Sequence, residues 1–393
     1  MRTGARPWQA RTVEPPQPDP DLPHLAEVVP SLLAAMGVAG FEPRIALPGG
    51  VAGACVLLID GLGAELLDTH ADDAPTLAAL RGRTLQVGFP STTAAGLAAI
   101  GTGRRSGEHG MVGYSFRLDD AGIVNALRWR PHPWGDDLRD AFPPEQVQPI
   151  PTTFERAASA GVSVSVVSGA EFAGSGLTRA VLRGGRYIGI GDLGDLRGLA
   201  TAVLSAVARR GFCYGYHGAL DMLGHLHGPG SPPWLMQLRQ IDRLVEVLVD
   251  GLPRGGMLAV VADHGMVAVD PADVVDADSC PALQDGVAAI GGEPRARHVY
   301  TVDGAAADVL NAWRETLSGR AWVLPREQAI AAGWFGDRVD DRVVRRIGDV
   351  VAAASGSAAV VRRIVEPLES SLIGQHGSMT TAEQRVPLLL AAR

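Results

Sequence analysis

Short runs of apolar residues that end in polar side chains recur along the chain, and they predict its strands. Residues 54–59, 212–216 and 257–262 are almost continuously apolar, and each run is too short for a buried helix. Glycines at Gly255, Gly256 and Gly265 bound the last of these runs. Because strands buried on both faces are apolar throughout, these runs favour a mostly parallel sheet covered on both sides.

Segments with helical periodicity alternate with these strands. Residues 25–36, 154–160, 196–209 and 234–252 have the spacing of amphipathic helices, and residues 94–100 form a small apolar helix that suits burial against a sheet. Alternation of strands and helices predicts the α/β class, with helices on both faces of the sheet in a three-layer α/β/α sandwich.

The pattern also divides the chain. Residues 1–53 are a proline-rich lead-in, and residues 54–393 form the predicted catalytic domain. From about residue 270 to 371 the alternation becomes irregular, which indicates a cap-like insertion with strands at 298–302 and 321–324 and a helix at 339–354. A hairpin is predicted within residues 114–129, and a final strand at 386–391 returns the chain to the core.

Charge and composition narrow the function classes. The net charge of −8 argues against a nucleic-acid duplex as the partner. Three cysteines, Cys55, Cys213 and Cys280, fit a reducing compartment better than a disulfide scaffold. No hydrophobic leader is evident and no apolar stretch approaches the roughly 18 residues of a membrane span, so the expected location is the cytoplasm, away from membranes.

Side chains that can bind metals follow the predicted strands. They are Asp60, the pair Asp221 and His225, the pair Asp263 and His264, and His376. In open α/β sheets the carboxyl ends of the strands are where ligands bind. Mixed carboxylates and imidazoles suit zinc, and also manganese or iron, better than calcium. The alternative for each single motif is a helix cap or a strand end beside a surface histidine.

Gly224 separates Asp221 from His225, and a glycine there permits a tight turn that would fold the imidazole back beside the carboxylate. Thr93 precedes the small apolar helix, where backbone N–H groups and the helix dipole favour anions. A hydroxyl in that place is a candidate nucleophile. The alternative is that Thr93, or its neighbour Thr92, is only the N-cap of the helix.

Five motifs in this order resemble one family. They are Ile59-Asp60-Gly61, Phe89-Pro90-Ser91-Thr92-Thr93 with Gly101-Thr102-Gly103, Asp221-Met222-Leu223-Gly224-His225, Asp263-His264-Gly265-Met266 and Gly374-Gln375-His376-Gly377. The set resembles the alkaline phosphatase superfamily, and most of all its nucleotide pyrophosphatase/phosphodiesterase branch, over roughly residues 54–391.

The resemblance implies an alkaline-phosphatase-like fold and two divalent metal ions, most simply zinc, with manganese or iron as alternatives. By this resemblance Asp221, His225 and His376 bind one ion. Asp60, Asp263 and His264 bind the other, which Thr93, the nucleophile, also contacts. The spacing to Gly103 selects Thr93 over Thr92.

The implied activity is two-metal hydrolysis of a small-molecule phosphoester by a phosphodiesterase or nucleotide pyrophosphatase, with nucleotides among the candidate substrates. A phosphomonoesterase or a phosphonate hydrolase of the same superfamily is the alternative. A sulfatase is disfavoured because Thr93 stands where sulfatases carry a modified cysteine or serine. A catalytically silent metal-binding protein is disfavoured by the complete set of motifs.

One position departs from the family pattern. Close relatives carry an asparagine shortly after the nucleophile, whereas this chain continues Ala94-Ala95-Gly96. Either backbone amides at the start of the helix hold the phosphoryl oxygen, or another donor does, or the substrate differs. From the sequence we expect Gly96→Asn either to raise diesterase activity or to leave it unchanged.

Overall fold

A seven-stranded sheet forms the centre of the computed structural model, which describes residues 14–192 and 194–393. Its strands in chain order are β1 (Gly53–Ile59), β2 (Arg81–Gln86), β3 (Val164–Gly169), β4 (Arg186–Ile190), β5 (Phe212–His217), β6 (Gly256–Val261) and β7 (Arg385–Ala392). Side by side they stand in the order β2-β7-β6-β1-β5-β3-β4. Only β7 runs against its neighbours in the described sheet, so the predicted mostly parallel sheet is confirmed.

The centre of this sheet is apolar on both faces. Every residue of β1 and of β6 is buried, as expected for strands that are covered by helices on each side. Cys55 and Cys213 are register partners on β1 and β5, and both are free and buried. They pack as small apolar side chains within the sheet.

Helices cover both faces of the sheet, which confirms the predicted three-layer sandwich. The longest, Pro232–Gly251, begins with two prolines and buries Trp234, Leu238, Ile241 and Val245 at the spacing of one helix face. The α-helices of the described residues are Val28–Ala35, Ala64–Thr69, Pro75–Ala79, Thr93–Thr102, Ser106–His109, Pro144–Val147, Thr153–Ser159, Gly176–Val181, Leu196–Ala208, Ala219–His227, Pro232–Gly251, Ala306–Thr316, Arg326–Ala331, Asp341–Val344, Pro367–Ser371 and Thr381–Gln384.

A second, antiparallel sheet lies within residues 287–354. Its strands stand in the order Val287–Glu293, Ala296–Thr301, Val350–Ala354 and Ala321–Pro325. They pack around a second apolar cluster that includes Val299, Val309, Trp313 and Val350. The predicted strands at 298–302 and 321–324 are confirmed, and the limits of the insertion at about 270 and 371 stay a prediction.

The predicted helix at 339–354 is wrong. Residues Asp341–Val344 form one helical turn, and Val350–Ala354 is a strand between two others. Alanines at 352–354 favour a helix locally, but hydrogen bonds to two neighbouring strands outweigh that preference. Gly348 lets the chain pass close to the strand Ala296–Thr301, since a Cβ there would lie 2.4 Å from the backbone nitrogen of Val299.

Smaller strands complete the described structure. The predicted hairpin is confirmed by the pairing of Ser115–Arg117 with Ile123–Asn125, which in turn pairs with Arg130–Pro131. Two further pairs join Val267–Ala268 to Gly374–Gln375 and Val274–Asp276 to Ala359–Val361.

The predicted lead-in, residues 1–53, contains residues of the main core. Its first thirteen residues lie outside the described part of the chain. Leu25, Val29 and Leu32 are fully buried in the main apolar cluster, so the helix Val28–Ala35 packs on the sandwich. The boundary at residue 53 stays a prediction. Among the described residues, the search for a helix with the length and hydropathy of a membrane span finds none.

Candidate active site

A buried group of three polar side chains lies at the carboxyl ends of β1 and β6. Asp60 follows β1, and Asp263 with His264 follows β6, so the loops after two neighbouring parallel strands bring them together. One ligand-capable atom of each lies within 4.8 Å of the others. The Nε2 atom of His264 is 3.3 Å from Asp60 Oδ1 and 3.7 Å from Asp263 Oδ2. The structure therefore brings together the three residues that the sequence grouped.

A second group consists of Asp221, His225 and His376. Asp221 and His225 lie one turn apart on the helix Ala219–His227, and His376 follows the two-residue strand Gly374–Gln375. The Nε2 atom of His225 is 3.3 Å from Asp221 Oδ2, and that of His376 is 3.8 Å from Asp221 Oδ1. These three residues also offer ligand atoms within 4.8 Å of one another. Here too the grouping predicted from the sequence is the one that the fold assembles.

The predicted tight turn at Gly224 is wrong. Gly224 lies inside the helix, and residues four apart on a helix already share one face. The glycine instead provides room, because a Cβ there would lie 2.5 Å from the sulfur of Met266. Gly374 also approaches closely, since its own added Cβ would lie 2.3 Å from the carbonyl oxygen of Gly224.

The two groups are neighbours. The rings of His264 and His376 stack with their centroids 3.5 Å apart and an angle of 15° between their planes. The centroids of His225 and His376 are 5.0 Å apart. Six side chains from four separate stretches of the chain thus form one continuous polar cluster.

All three imidazoles are oriented by their Nδ1 atoms. Nδ1 of His264 lies 2.9 Å from the carbonyl oxygen of Gly265. Nδ1 of His376 lies 2.9 Å from that of Ser91, and Nδ1 of His225 lies 2.7 Å from that of Gly374. A carbonyl only accepts, so each Nδ1 donates its proton and each Nε2 is the ring atom left to bind a metal ion. The three Nε2 atoms face the carboxylates, which is the arrangement of metal-binding histidines.

Each of the three carboxylates in the cluster has one oxygen atom that accepts no hydrogen bond from the described residues. Asp60 Oδ1, Asp221 Oδ1 and Asp263 Oδ2 are buried and have no hydrogen-bond partner among the described residues. Buried polar atoms are normally satisfied, so three unpartnered oxygens in one cluster indicate a missing positive ligand. The chemistry of the cluster therefore fits divalent cations.

The pKa values of the carboxylates and of His264 also indicate that the cluster attracts positive charge. Burial and the nearby Asp221 raise the pKa of Asp60, and burial together with Asp60 raises that of Asp263 well above its usual range. Burial alone would lower the pKa of His264, but Asp263 and Asp60 outweigh it and raise that pKa to about 10. The buried carboxylates repel one another and draw positive charge to the cluster.

Thr93 stands at the edge of this cluster. It is the first residue of the helix Thr93–Thr102, and its Oγ1 atom lies 3.2 Å from Nε2 of His264. Thr92 is the N-cap residue, yet its side chain makes no capping hydrogen bond, and it lies near the carboxyl group of Glu293, whose pKa it lowers. Of the two threonines, Thr93 has its hydroxyl beside the polar cluster.

Gly96 explains how closely this helix approaches the cluster. A Cβ at Gly96 would lie 2.4 Å from the Cβ of Asp263 and 3.0 Å from its Cα atom. This geometry argues against the expectation that Gly96→Asn raises diesterase activity or leaves it unchanged, because the Cβ and the backbone of Asp263 occupy the space. A glycine here allows the helix to place Thr93 against the loop that carries Asp263 and His264.

Two polar residues of the site were missed by the sequence analysis. The hydroxyl of Tyr216 donates to Asp60 Oδ2 at 2.5 Å, which fixes one oxygen of that carboxylate. Glu293 is buried beside Thr92, and its Oε1 atom has no partner among the described residues. Tyr216 is the residue before the last one of β5, and β5 pairs with β1, which leads to Asp60. This position at the carboxyl edge of the sheet is the feature of the sequence from which a place in the site could have been inferred. Glu293 comes from the second sheet, and no local signal marks it.

Two cavities share Thr93, Leu127 and Asp221 in their walls. The larger has a volume of about 350 Å³ and is also lined by Tyr114, Glu293 and Glu369. The smaller has a volume of about 170 Å³ and reaches Phe172, Ser175 and Tyr216. The cluster thus opens onto a cleft with two parts, and Thr93 borders both.

Comparisons with known proteins identify the family of this chain. Residues 54–379 match the sequence profile of a family described as type I phosphodiesterase / nucleotide pyrophosphatase. No protein with a curated description matches the chain significantly.

Solved structures share the fold. Murine ectonucleotide pyrophosphatase/phosphodiesterase 5 is similar with a TM-score of 0.65 at 16% identity, over 86% of this chain and 88% of that chain. Phosphonoacetate hydrolase from Sinorhizobium meliloti 1021, in complex with phosphonoformate, has a TM-score of 0.65 at 20% identity, over 86% and 90%. An inactive threonine-to-alanine variant of the murine protein, in complex with AMP, has a TM-score of 0.64 at 15% identity, over 86% and 87%. At these identities the similarity confirms the predicted fold.

Proposed function

Because this chain belongs to the type I phosphodiesterase / nucleotide pyrophosphatase family and is thus a phosphoester hydrolase, we propose that it cleaves phosphodiesters with two bound divalent ions and Thr93 as the nucleophile. The single observation that supports this proposal is the position of the Thr93 hydroxyl, 3.2 Å from Nε2 of His264 at the edge of the polar cluster. A lone hydroxyl at a helix start is ordinary, whereas one beside six metal-capable side chains is a reactive group.

The residues that would hold the ions are the two groups of three. Asp221, His225 and His376 would bind one ion, and Asp60, Asp263 and His264 the other. Imidazole and carboxylate donors suit zinc, with manganese and iron as further candidates. When bound, two such ions polarise the phosphoryl group and stabilise negative charge on the entering and leaving oxygens.

The chain's own groups then carry the reaction. Oγ1 of Thr93 loses its proton to water and attacks phosphorus, so that an Oγ1–P bond forms and the bond to the leaving oxygen breaks. The leaving group takes up a proton and departs as an alcohol. Water then cleaves the phosphothreonine ester and restores the hydroxyl, so one water is consumed for each ester bond broken.

Positioning comes from the helix Thr93–Thr102 and from Tyr216. The first N–H groups of a helix have no partner within it, so the start of this helix can donate to a phosphoryl oxygen. This replaces the asparagine side chain that relatives place near the nucleophile. The hydrogen bond from Tyr216 keeps Asp60 oriented toward the cluster.

Two proteins of similar structure correspond to the two candidate activities, phosphodiester cleavage and phosphonate hydrolysis. The murine protein, in its inactive threonine-to-alanine form, was solved with AMP, which agrees with a threonine nucleophile and a nucleotide ligand. The bacterial neighbour hydrolyses phosphonoacetate, so a phosphonate hydrolase is the second candidate. The absence of a side-chain donor at Gly96 is the observation that favours considering it.

A comparison of synthetic esters tests the proposal. Protein reconstituted with Zn²⁺ or Mn²⁺ is expected to hydrolyse bis-p-nitrophenyl phosphate, a diester, with a higher kcat/KM than p-nitrophenyl phosphate, a monoester. Phosphonoacetate is the third substrate, assayed by phosphate release. Hydrolysis of phosphonoacetate alone would favour the second candidate, and turnover of none of them by metal-loaded protein contradicts the proposed function.

A further inference from the structure

We propose that the cleft selects singly charged phosphodiesters with apolar substituents and discriminates against substrates that carry a second anionic group near the reacting phosphorus. This inference rests on the proposed function, because it concerns what the same site accepts. It separates simple diesters from pyrophosphates, nucleoside polyphosphates and carboxylated phosphonates. Three features of the cleft support it.

The first feature is the shape of the cleft. The two cavities share Thr93 and extend from it along different walls, one toward Tyr114 and Glu293 and the other toward Phe172 and Ser175. A diester has two substituents on its phosphorus, and a cleft with two parts gives each of them a place. A monoester or inorganic pyrophosphate has no organic substituent for the second part.

The second feature is the apolar wall of the larger cavity. Leu127, Met222, Leu226 and Leu368 line it, with 38%, 45%, 50% and 54% of their surfaces exposed. Large apolar side chains that are exposed together around a cavity are typical of a site that covers an apolar group. They offer nothing to a charged group, because they have no donor for it.

The third feature is charge. Beyond the metal-capable cluster, the larger cavity has two further carboxyl groups, Glu293 and Glu369. Oε2 of Glu293 accepts from the backbone N–H of Tyr114 at 2.8 Å, and Oε1 of Glu369 accepts from its hydroxyl at 2.9 Å. The remaining Oε1 of Glu293 has no partner among the described residues. A second anion placed in this cavity therefore meets carboxyl groups and no arginine.

No arginine among the described residues lines either cavity. The chain contains no lysine, so arginine is the only permanently charged side chain that could bind a second phosphate. The guanidinium of Arg297 is buried and bonded to Glu366 and to the carbonyl oxygen of Val360. Arg128 is exposed, follows Leu127 in the chain and acts on Tyr114 only through space.

Selection of this kind works by exclusion. When the cluster holds divalent ions, its charge would neutralise the single charge of the reacting diester. A further phosphate or carboxylate on the substituent would lose its water in the apolar cavity without gaining a partner. Apolar substituents are stabilised by contact with the same wall. Both effects therefore raise kcat/KM for an apolar ester relative to kcat/KM for a charged one.

A matched pair of substrates tests the inference. In p-nitrophenyl 3-methylbutyl phosphate and p-nitrophenyl 2-carboxyethyl phosphate, the second substituents have the same number of heavy atoms. They differ only in an isopropyl group replaced by a carboxylate. With metal-loaded wild-type protein, we expect kcat/KM for the 3-methylbutyl ester to be higher by about tenfold or more.

The variant Glu369→Gln removes one of the two carboxylates at the cavity without changing its size. We expect the ratio between the two esters to fall by about threefold, since one close repulsion is lost. Glu327→Gln is the control, because Glu327 is exposed on another helix and does not line the cavity. The control should keep the wild-type ratio, and an equal fall in both variants overturns the assignment to Glu369.

The outcomes separate the two proposals. Equal kcat/KM for both esters, or a preference for the carboxylated one, overturns this inference and leaves the proposed function in place. Turnover of neither ester, nor of bis-p-nitrophenyl phosphate, overturns the proposed function and the inference with it. The wild-type comparison needs no variant, so it does not depend on the folding of Glu369→Gln.

Discussion

Thr93 and Thr92 are adjacent, but their hydroxyl groups have different surroundings. Oγ1 of Thr93 lies 3.2 Å from Nε2 of His264, whereas Thr92 lies near the carboxyl group of Glu293. We expect Thr93→Ala to lower kcat by about three orders of magnitude or more, because a nucleophile acts only in the transition state. Metal content should stay near that of wild type, and Thr93→Ser should keep part of the activity. Steady-state kinetics and elemental analysis measure both quantities.

Thr92→Ala is the matched control for that prediction. The sequence suggests a capping contribution for this residue, but its side chain makes no capping hydrogen bond, so we expect little loss of stability. Its kcat should stay within a few-fold of wild type. If Thr92→Ala abolishes turnover and Thr93→Ala does not, the assignment of the nucleophile is off by one residue.

Gly96 supports a second prediction at the same scale. A Cβ at this position meets the Cβ of Asp263 at 2.4 Å, so Gly96→Ala is expected to push the helix and the metal-capable loop apart. We expect a loss of about 1–3 kcal/mol in the free energy of unfolding, as for other overpacked sites, together with weaker metal binding. Denaturant unfolding and metal titration are the measurements.

The control for Gly96→Ala is Gly49→Ala, because an added Cβ at Gly49 has no neighbour within 4 Å and the backbone there is unstrained. This variant should unfold like wild type. Equal stability of Gly96→Ala and wild type would mean that the helix can shift without cost.

Individual site residues could be identified from the sequence where they belong to a motif. Asp60, Asp263 and His264 follow apolar runs, and such strand ends can be read from the sequence. Tyr216 and Glu293 could not be found in this way, because their importance comes from contacts between distant parts of the chain. The sequence shows that the asparagine is absent, but the physical reason for a glycine at position 96, the close approach of Asp263, is visible only in the structure.

At the scale of elements, the short strand Gly374–Gln375 decides where His376 lies. It pairs with Val267–Ala268, and its first residue accepts a hydrogen bond from His225. His376 shares its group with Asp221 and His225. We therefore expect His376→Ala to remove or weaken one bound ion and to leave the other. Elemental analysis after dialysis should give close to half the wild-type metal content.

His227→Ala is the control for this measurement. His227 is exposed at the end of the same helix as Asp221 and His225, and it belongs to neither group. Its metal content should equal that of wild type. Loss of both ions in His376→Ala would show that the two groups bind cooperatively, and loss of neither would contradict the grouping.

Elements were predictable where burial and local preference agree. The strands β1, β5 and β6 are apolar and short, and both signals favour a strand. The stretch Val350–Ala354 is rich in alanine, so local preference favoured a helix, and the pairing on both sides decided otherwise. Asp221 and His225 were grouped correctly, although the helix rather than a turn at Gly224 is what joins them.

At the scale of the whole molecule, His298 connects the second sheet to the rest. Its Nε2–H donates to the carbonyl oxygen of Val112 at 2.7 Å, and its Nδ1 accepts from the N–H of Gly348 at 3.1 Å. Both bonds require a neutral ring, since a protonated Nδ1 would face another donor. Burial lowers the pKa of His298 to about 4.

This pKa predicts a loss of stability in acid. The unfolded chain binds a proton at His298 below about pH 6.5, whereas the folded chain binds it only near pH 4. The folded state is therefore favoured above pH 6.5 and loses about 1.4 kcal/mol per pH unit as the pH falls toward 4. Denaturant unfolding between pH 4.5 and pH 7.5 measures the slope.

His298→Gln is the comparison for that slope, because a glutamine amide can donate to Val112 and accept from Gly348 without titrating. The variant should lose less stability in acid than wild type. Release of bound ions at low pH is common to both proteins, so the difference between them isolates His298. Identical slopes would contradict the prediction.

The alternation of strands and helices alone predicts the α/β sandwich, and the family resemblance specifies it as alkaline-phosphatase-like. The second sheet could not be predicted as a whole. Gly291 and Gly292 interrupt its first strand, and its strand Val350–Ala354 pairs with residues 296–299 and 321–325, which lie far from it in the chain. The same distance hid the role of Glu293 in the cleft.

The position of β7 has a consequence for how the protein is made. β7 lies between β2 and β6, so residues 81–86 join the sheet only through residues 385–392. During translation, a ribosome completes β2 long before its neighbour exists, and the nascent chain keeps an open sheet edge until the last strand emerges. His376 emerges in the same late stretch. The nascent protein therefore completes its sheet and its six-residue cluster at the same stage of synthesis, when residues 376–392 have emerged.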